Sequence, residues 1–363
     1  MDHRAMDRRH FLAGVGVTAL CGYIAATMPA LSAAAAPQRK IITVAGRRMR
    51  VVDIHAHCMV PRVAEIVRGT NIDPGNFNAN QVLNPMRTPE RLAAMDARGI
   101  DVAVLSINAY WWYDANRDLA ARIVRTHDEG VAATCKEHPD RFVGLTSVAL
   151  QHPDLAAEQL EYAVKTLGFR GASVGGRIAG EVPSTETYDP FWRKAQELQV
   201  PVFMHPNKAD GLVNETIFEG RGDLGNIIGN PAETTLFLSK LIFDGTLDRF
   251  PGLKICGSHG GGYLPSYFGR TEVACDVRPN ANCTSKKPAR EYLRNQIMAD
   301  SMVFTDEGLR HLVAEMGASQ VVYGSDMPFN WPDTIDLVAN ASYLSPAEKE
   351  AILGGNLIRL LKL

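Results

Sequence analysis

Residues 51–57 read Val-Val-Asp-Ile-His-Ala-His, an apolar β-branched run that ends in two imidazoles. Such a run, bounded by turn residues, forms a strand buried on both faces. Strand residues two apart point to one side, so His55 and His57 can reach a common point. The same kind of run recurs along the chain. The predicted strands are Met49–His57, Asp101–Asn108, Phe142–Ala149, Gly171–Arg177, Pro201–Pro206, Leu253–Gly260, Ser301–Thr305 and Gln320–Asp326. Helical patterns alternate with them, at Pro89–Arg98, Leu119–Lys136, Leu155–Leu167, Asp189–Leu198 and Ala232–Phe250. Eight strand–helix alternations predict an α/β fold, a closed (β/α)8 barrel of the TIM type, with an open doubly wound sheet as the alternative. Pro346–Leu363 reads as a last amphipathic helix packed on the barrel, and no linker or internal repeat divides residues 37–363.

The first 36 residues read differently. Arg8-Arg9-His10-Phe11-Leu12 precedes an Ala/Gly-rich apolar stretch reaching to about Met28, and Ala33 to Ala36 follow as small residues for a signal peptidase. That order predicts a cleaved, twin-arginine-type export signal over residues 1–36, hence a periplasmic protein that meets the membrane only in transit. The alternative is an uncleaved membrane anchor. Apolar residues at 46% and charged residues at 21% are globular proportions and exclude a disordered, collagen-like or coiled-coil chain. Lys and Arg total 38 against 40 Asp and Glu, a balance that points away from nucleic acid as a partner. Of the cysteines, Cys58 and Cys256 read as small buried hydrophobes, whereas Cys275 and Cys283 flank a polar Pro/Asn segment and either pair or stay free.

Four histidines and one aspartate close predicted strands. His55 and His57 end the first, His205 the fifth, His259 the sixth and Asp326 the eighth. Barrel active sites are assembled from strand ends on that face, and imidazoles with a carboxylate are the ligands zinc favours. The group therefore predicts a metal site; His127, His138, His152 and His311 fall in helices or loops and read as ordinary polar residues. Arg177, ending the fourth strand, faces the same mouth and is a candidate for binding substrate. Glu233, in Asn230-Pro-Ala-Glu233, has the form of a capping-box glutamate. Trp111, Trp112, Phe329 and Trp331 lie beyond strand ends and wall either an aromatic pocket or a hydrophobic lid. The irregular stretches Gly69–Asn84, Asn207–Gly229 and Arg278–Lys287 read as loops on the active face.

Asp-Ile-His-Ala-His, His205-Pro, His259-Gly-Gly-Gly and Gly-Ser-Asp326-Met-Pro-Phe resemble the amidohydrolase superfamily of metal-dependent barrels. Arg141-Phe-Val-Gly-Leu, Leu167-Gly-Phe-Arg-Gly, Asn230-Pro-Ala-Glu-Thr-Thr and Phe250-Pro-Gly-Leu-Lys-Ile-Cys-Gly-Ser-His-Gly-Gly-Gly are similar to its aminocarboxymuconate semialdehyde decarboxylase-like branch. The resemblance implies one divalent ion, zinc before others, on His55, His57, His205 and Asp326. It implies His259 as general acid/base, with Asp326 also taking a proton. It further implies that Arg270 binds a substrate carboxylate across a homodimer interface. The fourth strand, Gly-Ala-Ser-Val-Gly-Gly-Arg, carries no lysine or glutamate to bridge a second ion. Asn207 replaces a tryptophan of the branch, and Asn76–Gln81 lacks its second arginine, so the resemblance reaches the branch rather than one substrate.

These readings predict a metal-dependent carboxy-lyase acting on an aromatic or unsaturated carboxylic acid. The alternative is a hydrolase of an amide, ester or lactone working through the same residues. A non-catalytic barrel would have no use for the acid/base histidine.

Overall fold

The β-branched runs become short parallel strands in the computed structural model, which describes residues 39–73, 88–107, 111–207 and 220–363 with positions 212 and 218. The strands are β1 (Val52–His57), β2 (Val102–Ser106), β3 (Phe142–Gly144), β4 (Ala172–Gly175), β5 (Val202–His205), β6 (Ile255–Gly257), β7 (Ile297–Asp300) and β8 (Val321–Val322). The first three form one parallel ladder and the last five another. Single bridges join the ladders at both seams. Thr146 pairs with Ala172 between β3 and β4, and Ala56 with Met327 between β8 and β1. His57 N–H donates to the Met327 carbonyl at 2.7 Å across the second seam. The eight strands thus close into the expected ring, rather than an open sheet.

After an unforeseen helix α1 (Pro61–Val67), the helices α2 (Thr88–Arg98), α3 (Arg117–Glu137), α4 (Pro153–Lys165) and α5 (Asp189–Leu198) follow the sequence patterns closely. The single helix expected over residues 232–250 is two, α6 (Asn230–Phe243) and α7 (Thr246–Arg249). Gly245, at φ 73°, makes the break. The larger correction is the seventh strand. It is Ile297–Asp300, and the residues expected as strand, 301–305, are the turn leading into the next helix. The apolar run Ile-Met-Ala lies before Asp300, so placing the strand after that aspartate misses a strand-end carboxylate.

Inside the ring, Val52, Ile54, Val102, Val104, Phe203 and Cys256 pack together with Leu357 and Leu361 of the C-terminal helix Asn356–Leu361. The outward faces of the strands join a larger core beneath the surrounding helices. A bulge in β1 links these layers to the chemistry. Val52 and Asp53 lie opposite Val102 and Ala103, but Ala56 and His57 lie opposite Leu105 and Ser106. One extra residue in β1 reverses the alternation. Val52 and Ile54 face the interior below it, and His55 and His57 do so above it.

Cys275 and Cys283 form a disulfide, with Cα atoms 6.0 Å apart. Among the described residues no helix is long and apolar enough to cross a membrane. The expected leader, residues 1–36, lies outside the described residues, as do Asn76–Gln81 and most of residues 208–219.

Candidate metal centre

His55 and His57 on β1, His205 on β5, His259 after β6 and Asp326 after β8 converge in the mouth of the ring. His55 Nε2 is 2.9 Å from His57 Nε2, and Asp326 Oδ1 is 3.2 and 3.0 Å from those two atoms. The His205 ring centre lies 5.1 Å from that of His55 and 4.6 Å from that of His57. One ligand atom from each of His55, His205, His259 and Asp326 falls within 4.8 Å of all the others. Every metal-site residue expected from the sequence is therefore in one place.

The opposite edge of each ring decides what these nitrogens can do. His55 Nδ1 lies 2.7 Å from Asp300 Oδ2, His57 Nδ1 3.2 Å from the Ile107 carbonyl, and His205 Nδ1 2.9 Å from the Pro206 carbonyl. Acceptors must be met by N–H, so each Nδ1 carries the proton and each Nε2 presents a lone pair. Those lone pairs face Asp326 Oδ1, which is buried with no hydrogen-bond partner among the described residues. Converging lone pairs around an orphaned carboxylate oxygen suit a bound cation, and the donor set fits a divalent ion. With protein groups alone, a proton relieves the crowding. Burial opposes charge on His55, yet Asp326 and Asp300 hold its pKa up at about 10. Burial brings His57 down to about 4, and burial with the neighbouring imidazoles pushes His205 well below its ordinary range. Burial works against ionisation of Asp326, but His55 and the other imidazoles hold it well below the usual carboxylate range.

Asp300 is the functional residue that the sequence reading missed. Besides orienting His55, it accepts the backbone N–H of His259 at 3.0 Å and of Gly260 at 2.8 Å. One carboxylate so holds a metal-site ring and the turn carrying His259. Asp53, also unforeseen, accepts from the His55 N–H and from the Ser325 N–H, which ties β1 to the segment bearing Asp326. Both His259 (φ 55°) and Asp326 (φ 58°) are in the left-handed region, which ordinary side chains seldom occupy. The glycines at 260–262 all have positive φ, and a Cβ on Gly262 would lie 2.3 Å from the Pro231 carbonyl oxygen. They are required by a tight turn.

The other candidates divide. Arg177 is buried, and its Nε donates to Glu233 Oε1 at 3.1 Å. Glu233 Oε2 accepts the Asn207 N–H at 2.7 Å, so this glutamate braces the mouth instead of closing a capping box. Phe329 stands 6.0 Å from the His57 ring, and Trp111 packs against β4. Trp112 is a core residue that donates to the Ser147 carbonyl, and Trp331 stacks on Phe304. Arg270 lies exposed on α8 (Phe268–Val277), with no hydrogen bond or ion pair among the described residues.

The amidohydrolase family model matches residues 52–363, the whole ring with its strand-end histidines and aspartate. The chain belongs to the amidohydrolase family. Within that family it is 30% identical over 278 residues to a 2-amino-3-carboxymuconate-6-semialdehyde decarboxylase of Dictyostelium discoideum, covering 75% of this chain and 76% of that one. It is 31% identical over 287 residues to a gamma-resorcylate decarboxylase of Rhodococcus jostii, covering 75% and 87%. A dihydroxybenzoic acid decarboxylase of Polaromonas sp. JS666, solved with bound manganese and 2-nitroresorcinol, superposes with a TM-score of 0.72 at 27% identity, covering 87% and 97%. These relatives place the amidohydrolase fold found here in the decarboxylase-like branch that the motifs resemble.

Proposed function

We propose that this amidohydrolase is a metal-dependent carboxy-lyase that removes CO2 from an aromatic or unsaturated carboxylic acid. The observation that carries the reading is the convergence of the His55, His57 and His205 imidazoles and the Asp326 carboxylate on one point, with His259 beside it. The kind of relative found selects decarboxylation over the hydrolysis open to the same residues. In the reaction the bond from carbon to carboxylate breaks, CO2 leaves, and a proton replaces it on that carbon.

His55, His57, His205 and Asp326 are the proposed ligands. A divalent ion there supplies positive charge that polarises substrate oxygen atoms. Three imidazoles and a carboxylate favour zinc as that ion, with manganese the competing candidate. His259 differs from the other three histidines. Its Nδ1 is 3.3 Å from the Ser258 hydroxyl, which donates or accepts, so neither tautomer is imposed. It is also the most open of the four, at 17% side-chain exposure, with Nε2 3.8 Å from Asp326 Oδ2. A ring at the open edge of the site, within reach of Asp326, suits a general acid/base. Asp326 Oδ2 is placed to exchange a proton with it. Arg177, steadied by Glu233, is a proposed anchor for the substrate carboxylate.

Arg270 is proposed as a second anchor, acting in the site of a partner copy. Its helix supports a homodimer: only Phe268 on it is fully buried, while Tyr267, Val273 and Val277 leave large apolar surface exposed. Residues 1–36 are proposed to export the protein to the periplasm, and the Cys275–Cys283 pair suits that oxidising compartment. The deciding experiment is a screen of metal-loaded enzyme against carboxylic acids, esters, amides and lactones, following CO2 release and hydrolysis in parallel. Turnover with hydrolysis and no CO2 would overturn the reading, and elemental analysis of the purified protein identifies the ion.

A further inference from the structure

We infer that the indole N–H of Trp111 is a specificity-determining hydrogen-bond donor in the barrel mouth, directed at a ring oxygen of the aromatic acid. The inference rests on the decarboxylase reading and adds to it which feature of the substrate, besides its carboxylate, is recognised.

Trp111 follows β2 and is only 7% exposed, yet its Nε1 has no hydrogen-bond partner among the described residues. The fully buried tryptophans behave otherwise. Trp112 donates to the Ser147 carbonyl at 3.2 Å and Trp192 to the Pro183 carbonyl at 2.8 Å. A buried donor left without an acceptor forfeits the hydrogen bond it made to water, so such groups are scarce in folded proteins and call for a partner.

The surroundings show where that partner would sit. Gly175 ends β4 and lies directly opposite His205 of β5 in the ladder. Residues paired across neighbouring strands turn their side chains to the same face, and His205 turns its ring inward to the metal-site cluster. A Cβ on Gly175 would point the same way. It would lie 2.9 Å from Trp111 Cδ1, 3.0 Å from Trp111 Nε1 and 3.0 Å from Tyr113 Cε2. The indole therefore fills the interior space beside β4, next to the strand that carries His205. Its pose is fixed without using the N–H. Tyr113 stacks on it at 5.7 Å and 13°, and the Tyr113 hydroxyl accepts the Gly175 N–H at 2.9 Å. A neutral donor in an aromatic wall can meet a hydroxyl or phenolate oxygen on a flat ring, leaving charged groups for the carboxylate.

Two probes separate the possibilities: 2,6-dihydroxybenzoate, which has ring oxygens, and benzoate, which has none. Both are titrated into metal-loaded protein with its four tryptophans labelled at the indole nitrogen. One indole signal should move downfield with 2,6-dihydroxybenzoate and stay in place with benzoate. The variant W111F should lose that signal, keep its metal, and bind 2,6-dihydroxybenzoate about 3- to 10-fold more weakly while binding benzoate as before. No shifted indole signal in the wild-type protein, a reading that needs no variant, would overturn the inference. Equal weakening of both acids by W111F would overturn it too, because the indole would then serve only as a wall or contact the carboxylate. If neither acid binds the wild-type protein, the aromatic-acid reading fails along with it, a result distinct from binding that W111F leaves unchanged.

Discussion

Asp300 is not among the residues read from the sequence, yet it holds His55 by the ring and His259 by the backbone. Asp300→Asn offers His55 Nδ1 an amide in place of an acceptor-only carboxylate, which loosens the tautomer that aims Nε2 inward. Loss of such a supporting partner typically costs about 10- to 100-fold in metal affinity, and competition with a chelator should show it. His55→Ala should lower metal content outright. His259→Ala should separate from both, keeping its metal while turnover falls about 10²- to 10⁴-fold, the usual cost of losing a positioned acid/base. Metal lost together with activity in His259→Ala would make His259 a ligand and reassign the acid/base role.

Among the elements, the C-terminal helix has a function its amphipathic pattern does not state. Leu357 and Leu361, fully buried or nearly so, belong to the cluster inside the ring rather than to the outer core. Leu357→Ala should therefore open a cavity in the barrel interior and destabilise the fold by about 2–5 kcal/mol, read as a lowered urea midpoint. The turn after β6 responds to a different force. Gly262→Ala combines a left-handed backbone with a Cβ 2.3 Å from a carbonyl oxygen, so it should displace His259 and lower activity more than metal content. A Gly262→Ala variant with wild-type turnover would show that the turn tolerates the shift.

At the level of the whole molecule, the metal site joins β1, β5 and the segment after β8, parts of the ring that are far apart in the chain. An ion bound only by the folded form adds stability by mass action, about 2.7 kcal/mol at a hundredfold excess over Kd. Thermal unfolding should accordingly move to higher temperature with added zinc or manganese and fall back with a chelator; a Tm insensitive to both would argue against ions bridging these strands. Export is tested on the same scale. Processing should leave a mature terminus between about Ala34 and Gln38, and Arg8-Arg9 changed to Lys-Lys should hold precursor in the cytoplasm. An intact Met1 terminus in purified membranes would favour an anchor.

Periodicity and residue type sufficed for much of this protein. Seven of the eight strands, and the placement of His55, His57, His205, His259 and Asp326 at strand ends, follow from apolar runs that stop at polar residues. Burial on both faces leaves that pattern in any parallel strand. Folding alone decided what depends on contacts between distant segments. The β1 bulge that turns two histidines inward, Asp300 beneath His55, Glu233 against Arg177 and the indole over Gly175 involve partners from 56 to 245 residues apart or a register set by the neighbouring strand. No local pattern encodes those meetings, because each depends on which strand lies beside which when the ring closes.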